Sequence, residues 1–303
     1  MGLRVLSLFD GIACGMQAFK ELGIPVDVYY ASEIEKNAIK VAKVNHPEII
    51  EIGDVTEINF NDYVGKVDII IGGSPCQGFS VSGKQLAFLD ERSALIKYFF
   101  EAVETIKPKY FFLENVVMQK RYEKNISDIL GVEAIRIDAA KVSITQRVRL
   151  YWTNIPNVKQ PEQIKGLIIN SMSDDCFRDT VPEMPLRREK ENLQSEYEHC
   201  YRLGYTSNKK SGCQALYDAW GKYPTILTNG NKRVMLKDGS IKFPTIRGYE
   251  QIHGLPKDYT KAAGWGGEKV RIPLVGNGWC VPVIKYIFSF IPKEDYEHVS
   301  KES

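Results

Sequence analysis

The chain has 303 residues, with 40 Lys and Arg against 38 Asp and Glu, a formal charge of +2, and 44% hydrophobic residues. This composition excludes disordered and collagen-like chains, and the length allows one large domain or a large domain with a smaller one. No apolar run approaches the roughly 18 residues of a membrane helix. The start, MGLRVLSLFDG, reads as neither a signal peptide nor a myristoylation site.

The first half alternates strands and helices. Residues 3–8 read as a buried strand, 11–22 as a helix, 26–31 as a strand, 35–45 as a helix and 49–52 as a short strand. The continuous apolar run at 67–71 is a strand, 92–106 a helix, 110–113 a strand and 122–130 a helix; 134–137 and 150–153 close the series as strands. This alternation predicts the α/β class, a doubly wound, mostly parallel sheet covered on both faces. The catalytic and cofactor-binding domain is expected at 1–155. The pattern breaks after Ile155, where Pro156, Pro161, Pro182 and Pro185 interrupt any period. Residues 156–243 read as a smaller, loop-rich domain. Its charge is uneven: 155–198 carry 6 basic and 9 acidic side chains, whereas 199–243 carry 8 and 2. Periodicity returns at 245–255 and 280–291, both helical, so 244–303 is expected to rejoin the first domain.

The six cysteines (14, 76, 176, 200, 213 and 280) form no C-x-x-C pair. No metal site is therefore expected, and the thiols read as reduced, in a cytosol-like compartment.

Open parallel sheets bind ligands at the carboxyl ends of their strands. Three loops there carry suitable residues. In Phe9-Asp10-Gly11-Ile12-Ala13-Cys14-Gly15, the glycines allow a tight turn and the following helix start favours an anion; such turns are also structurally commonplace. Glu33 follows Gly11 by 22 residues, the spacing of a carboxylate that binds ribose hydroxyls. Asp54 in Gly53-Asp54-Val55 is suited to an adenine amino group, or is simply a turn residue. Together the three favour an adenosine-type ligand.

The strand at 67–71 runs into Gly72-Gly73-Ser74-Pro75-Cys76. Pro75 fixes the turn and displays Cys76 at the strand end, as a nucleophile or as a structural thiol. Residues 78–91, polar and containing Ser80, suit a flap that closes on substrate. Glu114 follows four apolar residues and is expected in a partly buried site, where burial raises a carboxyl pKa; a helix-capping role is the alternative. Arg147 and Arg149 alternate before an apolar strand and are expected on one face, where they call for carboxylate or phosphate.

The ordered set FDGIACG, Glu33, Asp54, GGSPCQGFS, ENV, QRVR and VGNGWCVPV resembles the DNA cytosine-5 methyltransferase family. The match spans nearly the whole chain except about 156–243. RVLSLFDGIA, ASE, GDV, IIGGSPC and VPVI are most similar to the catalytic domain of the animal de novo enzymes. The lack of a reader domain resembles the stand-alone bacterial or phage type. One departure is Ala13, where the family's usual F-x-G-x-G pattern has its second Gly; the animal branch shares it.

The resemblance implies a Rossmann-like methyltransferase fold with a smaller target-recognition domain. It implies that Cys76 attacks C6 of a cytosine flipped out of duplex DNA, because that atom is unreachable inside the stack. Pro75 would position the thiolate, Glu114 would meet N3 and the exocyclic amine, and Arg147 and Arg149 would hold O2 and a nearby phosphate. C5 would take the methyl group of S-adenosyl-L-methionine. That cofactor would rest on Phe9, Asp10, Gly11, Ile12, Cys14, Glu33, Ile34, Asp54 and Val55, with Asn277, Gly278 and Trp279 from the C-terminal segment.

Residues 225–231 (TILTNGN) resemble part of a recognition domain. In the basic stretch 199–243, Arg202, Lys209, Lys210, Lys232 and Arg233 are candidates for phosphate contact, or form a solvated basic face. Asn229, Asn231 and Arg233 are the expected base readers, with Ser80 as a further DNA contact. The implied setting is the cytoplasm and nucleoid DNA of a bacterial or phage-infected cell. A restriction endonuclease of the same system is allowed as a counterpart, with no stable protein partner and no membrane implied. The competing readings are an RNA cytosine-5 methyltransferase, a non-catalytic relative and, more weakly, a nicotinamide-dependent oxidoreductase.

Overall fold

The apolar run at the start of the chain forms a strand, β1 (Leu3–Leu8), buried along nearly its whole length. In the computed structural model, the residues described are 2–75, 95–179, 186–206, 214–226, 232–264 and 267–297. They cluster into two units. One comprises Met1–Ile137, Val148–Gln160 and Ile284–Ser303; the other comprises Asp138–Arg147 and Pro161–Val283.

In the first unit β1 is followed by α1 (Cys14–Leu22), β2 (Val26–Ser32), α2 (Lys36–Asn45), β3 (Ile50–Glu51), β4 (Ile69–Gly72), α3 (Ile96–Ile106), β5 (Tyr110–Val116), α4 (Lys120–Leu130) and β6 (Ile135–Asp138). The short β7 (Thr145–Gln146) belongs to the second unit, and β8 (Val148–Thr153) returns to the first. The sheet order is β3-β2-β1-β4-β5-β8-β6. Pairs β2–β3, β1–β2, β1–β4 and β4–β5 are parallel, and β5–β8 is antiparallel. The expected doubly wound, mostly parallel sheet is present. The chain order reverses between β1 and β4, and a crevice for ligands opens beyond the carboxyl ends at such a switch.

The core explains why these segments hold together. Ile96, Phe99, Ala102 and Ile106 are buried on one face of α3 and join Leu6, Leu8, Ile70, Leu113 and Trp152. α3 lies so close to β4 that a Cβ on Gly72 would stand 2.8 Å from Phe99 Cδ2. On α1, Phe19 stacks on Phe288 with ring centroids 4.5 Å apart, and Phe288 meets Phe112 of β5 edge-on. Phe288 ends α7 (Val281–Phe288), so the helix expected at 280–291 does return to this unit, though it is shorter.

The second unit holds a six-stranded sheet built from β9 (Phe177–Asp179), β10 (Arg187–Arg188), β11 (Arg202–Tyr205), β12 (Ala215–Asp218), β14 (Arg233–Met235) and β15 (Ile241–Pro244). Its order is β10-β11-β12-β14-β15-β9, and β13 (Tyr223–Pro224) pairs with β7. Leu203, Leu216 and Met235 form its small core. Two helices follow, α5 (Ile246–Ile252) and α6 (Gly267–Asn277).

These contacts divide the chain elsewhere than at 155/156 and 243/244. β15 pairs with β9 and runs directly into α5. Gly248 of α5 packs against the Cys176 carbonyl, where a Cβ would stand at 2.4 Å. Thr245 caps the helix and its N–H donates to the same carbonyl. Residues 244–283 thus cluster with 161–243. No helix among the described residues is long and apolar enough to cross a membrane.

Candidate active site

The loop after β1 visits the left-handed region three times, at Phe9 (φ 59°), Gly11 (φ 63°) and Ala13 (φ 59°). This path presents the Gly11 N–H to Glu33 Oε2 at 2.8 Å. Glu33 Oε1 accepts from the N–H groups of Ile34 (2.8 Å) and Glu35 (2.9 Å). The carboxylate expected to take a ribose is therefore pinned by three backbone donors, and its four lone-pair sites leave one for a ligand. Ile34 beside it is 68% exposed.

Asp10 is buried at the same loop. Ser7 Oγ (2.6 Å) and Tyr29 OH (2.7 Å) both donate to its Oδ1, while Oδ2 is buried without a hydrogen-bond partner. Burial pushes its carboxyl up to about 7; the Ser7 and Tyr29 hydrogen bonds oppose the rise, and the charges of Glu51 and Glu33 add to it. Ile12 and Cys14 are buried. Asp54 Oδ1 accepts from Thr56 N and Oγ1, both at 2.9 Å, which is the turn-capping arrangement named as its alternative. Val55 behind it is buried. Ser32 Oγ donates to the Gly53 carbonyl and joins the second and third loops.

β4 ends at Gly72, and Ser74 and Pro75 are the last described residues before position 76. Ser74 Oγ accepts from Asn115 Nδ2 at 3.0 Å, a buried hydrogen bond between the ends of β4 and β5. Asn115 stands next to Glu114, whose Oε1 lies 3.0 Å from Arg149 Nε. The strand register explains the pair. Arg149 is opposite Val116, and Glu114 shares that face two residues back, which makes Glu114 and Arg149 diagonal neighbours across the ladder.

The two arginines are not residues of one strand as expected. The strand breaks between β7 and β8 at Arg147, whose N–H donates to Asp138 Oδ1 at 3.1 Å. Its guanidinium donates to the carbonyls of Gly276 and Gly278, each at 3.2 Å. Arg147 thus fastens the turn that carries Asn277, Gly278 and Trp279, in which Asn277 is exposed and Trp279 buried. Arg149 alone pairs with Glu114.

Lys232 fits neither the expected phosphate contact nor the solvated face given as its alternative. It is buried and its Nζ donates to the Thr225 carbonyl. Arg233 lies over the Phe243 ring at 4.6 Å, and Arg178 lies over the same ring at 5.6 Å. Arg202 remains exposed. Cys76, Ser80, the 78–91 segment, Lys209, Lys210, Asn229 and Asn231 lie outside the described residues. Ser7, Tyr29, Glu51, Ser74 and Asn115 were not singled out from sequence. A polar Ser7 within the buried half of an apolar-rich strand and an Asn beside Glu114 were their only signals. Among the described residues no group of three His, Cys, Asp or Glu could hold a metal ion.

Comparison with known proteins fits this geometry. Residues 3–134 match the sequence model of the C-5 cytosine-specific DNA methylases. The orphan methyltransferase M.SPRI of Bacillus phage SPR is 32% identical over 191 residues, 61% of this chain and 41% of that protein. The matched region spans less than half the length of the curated relatives. In fold, the chain is similar to a DNA modification methyltransferase encoded within an Escherichia coli prophage (TM-score 0.69, 18% identity, 97% of this chain and 99% of that one). It is similarly close to the Schizosaccharomyces pombe Dnmt2 methyltransferase (TM-score 0.68, 18% identity, 97% and 100%). Residues 3–134, which carry β1 to β5 and the loops of Asp10, Glu33, Asp54 and Glu114, are the part of this chain that is similar to the C-5 cytosine-specific DNA methylases.

Proposed function

We propose that the protein is a DNA cytosine-5 methyltransferase that uses S-adenosyl-L-methionine. The observation that carries this reading is the Asn115–Ser74 hydrogen bond of 3.0 Å. It ties Ser74, two residues before Cys76 in sequence, to the end of β5 that bears Glu114, the partner of Arg149, and this supports reading these residues as parts of one site.

The first loops suit the cofactor. Glu33 keeps a lone pair for a ribose hydroxyl, Ile34 offers an exposed apolar surface, and Asp10 Oδ2 is an unsatisfied buried acceptor. Phe9, Gly11, Ile12, Cys14, Asp54, Val55, Asn277, Gly278 and Trp279 are proposed as the remaining contacts. When bound, S-adenosyl-L-methionine supplies an electrophilic methyl group.

Cys76, as thiolate, adds to C6 of a flipped cytosine; the S–C6 bond forms and electron density moves to C5. Pro75 restricts the approach of the thiolate. Glu114 faces N3 and the exocyclic amine and relieves the charge on the ring. Arg149, held by Glu114 through Nε and by the Val148 carbonyl through Nη1, directs Nη2 at O2 or a phosphate. Arg147 acts one step removed, through the 276–278 turn. After methylation the C5 proton leaves to a base, the S–C6 bond breaks, and Cys76 is released as thiolate. Arg202, Arg233, Ser80, Asn229 and Asn231 are proposed to contact duplex DNA. Nucleoid DNA of a bacterial or phage-infected cell is the setting, with a restriction endonuclease as a counterpart that need not bind.

The test is transfer of labelled methyl from S-adenosyl-L-methionine to duplex DNA by the native chain and by Cys76→Ser. Transfer to cytosine C5 that vanishes in the variant is expected. Transfer to RNA but not duplex DNA, or undiminished transfer by Cys76→Ser, overturns the reading.

A further inference from the structure

β11 is irregular where it enters its sheet. It pairs Arg202 with Tyr217, Gly204 with Leu216 and Tyr205 with Ala215, and the register shifts between Arg202 and Gly204. Residues three apart on a regular strand face opposite sides. Here Leu203 is an extra residue, and the partners Tyr217 and Ala215 are two apart, so Arg202 and Tyr205 share one side. The Arg202 guanidinium lies over the Tyr205 ring, 5.1 Å from its centroid. Tyr205 is 7% exposed, whereas Arg202 is exposed. The bulge thus sets a solvent-facing cation on a buried ring.

Stacking holds a guanidinium plane without using its N–H groups. Those of Arg202 make no hydrogen bond or ion pair with another described residue. Other arginines of the same unit are engaged. Arg178, Arg187, Arg247 and Arg271 each pair with a carboxylate, and Arg147 and Arg188 donate to backbone carbonyls. Arg202 is therefore oriented with its donor fork available. A phosphate asks only for a cation of long reach, which a flexible side chain supplies. A fork fixed in one plane suits two acceptors side by side on a base edge, and guanine O6 and N7 are such a pair.

The start of β11 is also fastened to the strand of Arg147, within the same unit. The Cys200 N–H donates to Gln146 Oε1 at 3.1 Å, and Gln146 directly precedes Arg147. Thr225 Oγ1 donates to the Gln146 carbonyl at 2.8 Å, and the Asp218 N–H donates to the Tyr201 carbonyl at 2.8 Å. Along this path Arg202 stands at most about 20 Å from Arg147, Cα to Cα. One turn of duplex is about 34–36 Å long, so a base met by Arg202 lies within a turn of the target. We propose that Arg202 determines target specificity by donating both ends of its guanidinium to O6 and N7 of one guanine in the major groove, with Tyr205 as its positioning residue. The inference rests on the DNA methyltransferase reading above and names one base of that substrate.

Methylation of a duplex library randomised around a cytosine, read by bisulfite sequencing, tests this with the full chain. The native chain is expected to require guanine at one fixed position near the methylated cytosine. In Arg202→Ala that position is expected to become degenerate, with discrimination against other bases lowered by roughly tenfold or more. Preferences at the other positions are expected to persist, and affinity for S-adenosyl-L-methionine to stay within about twofold. Tyr205→Phe, which keeps the ring, is expected to retain the native pattern, and Tyr205→Leu to relax the same position. Arg202 is exposed, so its variant serves even if Tyr205→Leu does not fold. An unchanged pattern in Arg202→Ala overturns the proposal. So does a uniform loss on all sequences with a salt slope smaller by about one, the mark of a phosphate contact. Methylation by the native chain without any sequence preference overturns it as well. Failure of the native chain to methylate any duplex DNA overturns the methyltransferase reading instead, so the two failures are distinguishable.

Discussion

Arg149 Nε stands 3.0 Å from Glu114 Oε1, and the two side chains keep only 15% and 11% of their exposure. The pair is set by the β5–β8 register rather than by proximity in sequence. Arg149 Nη1 also donates to the Val148 carbonyl at 2.8 Å, so the guanidinium is held at two points and Nη2 and the second carboxylate oxygen are left for a substrate. Lys has no planar fork to reproduce this. Arg149→Lys and Glu114→Gln are each expected to lower kcat by about a hundredfold or more, the usual scale for a positioned acid or base. The double variant is expected to lose little beyond either single one. Single-turnover methylation rates check this, and simple additivity of the two losses would count against a coupled pair.

The pH dependence of stability carries two opposed signatures. Asp10 is raised to about 7 by burial. In the pH range from about 4 to about 7 the folded protein holds a proton that the unfolded chain has released. Its contribution is therefore fully favourable below about 4 and falls by about 4 kcal/mol as pH rises to about 7. His46 runs the other way. Burial lowers it to about 4, with Glu48 opposing and Lys20 adding. Its neutral burial is favourable above about pH 6.5, and about 3 kcal/mol is lost as pH falls toward 4. Asp10→Asn is expected to stabilise the protein at pH 7.5 and to expose a steep loss on acidification. His46→Asn removes that loss. Urea unfolding of the three proteins from pH 4 to 8 measures each slope, and parallel curves would contradict the assignment.

Gly72 is fixed by close approach. An added Cβ would meet Phe99 Cδ2 at 2.8 Å and the Leu8 carbonyl at 3.2 Å. Gly72→Ala is expected to cost about 1–3 kcal/mol, the range for overpacking a filled core. Trimming the ring in Gly72→Ala/Phe99→Leu is expected to restore less than it removes, because the carbonyl contact persists. Urea midpoints at unchanged slope report both effects. Because Gly72 leads into Ser74 and Pro75, methyl transfer is expected to fall with the first substitution even where the protein is fully folded.

The strands were legible where burial is total. β4 and the first half of β5 are unbroken apolar runs, and β1 is apolar but for Arg4 and Ser7, because parallel strands covered on both faces need no alternation. The carboxyl end of β5 was not, because Glu114 and Asn115 look like a strand end until β8 is seen to pair with them. α6 was hidden by Pro273 within it and by a weak apolar face. The 22-residue spacing from Gly11 to Glu33 pointed to a real contact, 2.8 Å long. The Ser7–Asp10–Tyr29 network was not readable, since Tyr29 reaches Asp10 from 19 residues away through the β1–β2 register. Arg147 and Arg149 misled for a related reason. Their alternation is that of a strand, but the Asp138 carboxylate takes the Arg147 N–H and breaks the ladder there.

Ala13 tests whether backbone strain in the first loop is needed. It sits at φ 59° and ψ 39°, just before α1, with no side-chain cap. That conformation costs a residue with a Cβ about 1–2 kcal/mol. Phe9 carries the same burden at φ 59°, but its ring packs against the core and is the proposed adenine platform, so glycine there would remove what the site uses. Ala13 contributes only a methyl group. Ala13→Gly is expected to relieve the folded state and to lose part of that gain to greater freedom when unfolded, for a net stabilisation of about 0.5–1 kcal/mol. In a chain of this length that corresponds to a rise in Tm of about 2 °C. Affinity for S-adenosyl-L-methionine is expected to stay within about twofold, because the Gly11–Glu33 contact is retained. A lower Tm would mean that the buried methyl packs well enough to outweigh the strain. An unchanged Tm with weaker cofactor binding would mean that the stiffness of an alanine at this position holds the loop in its binding shape.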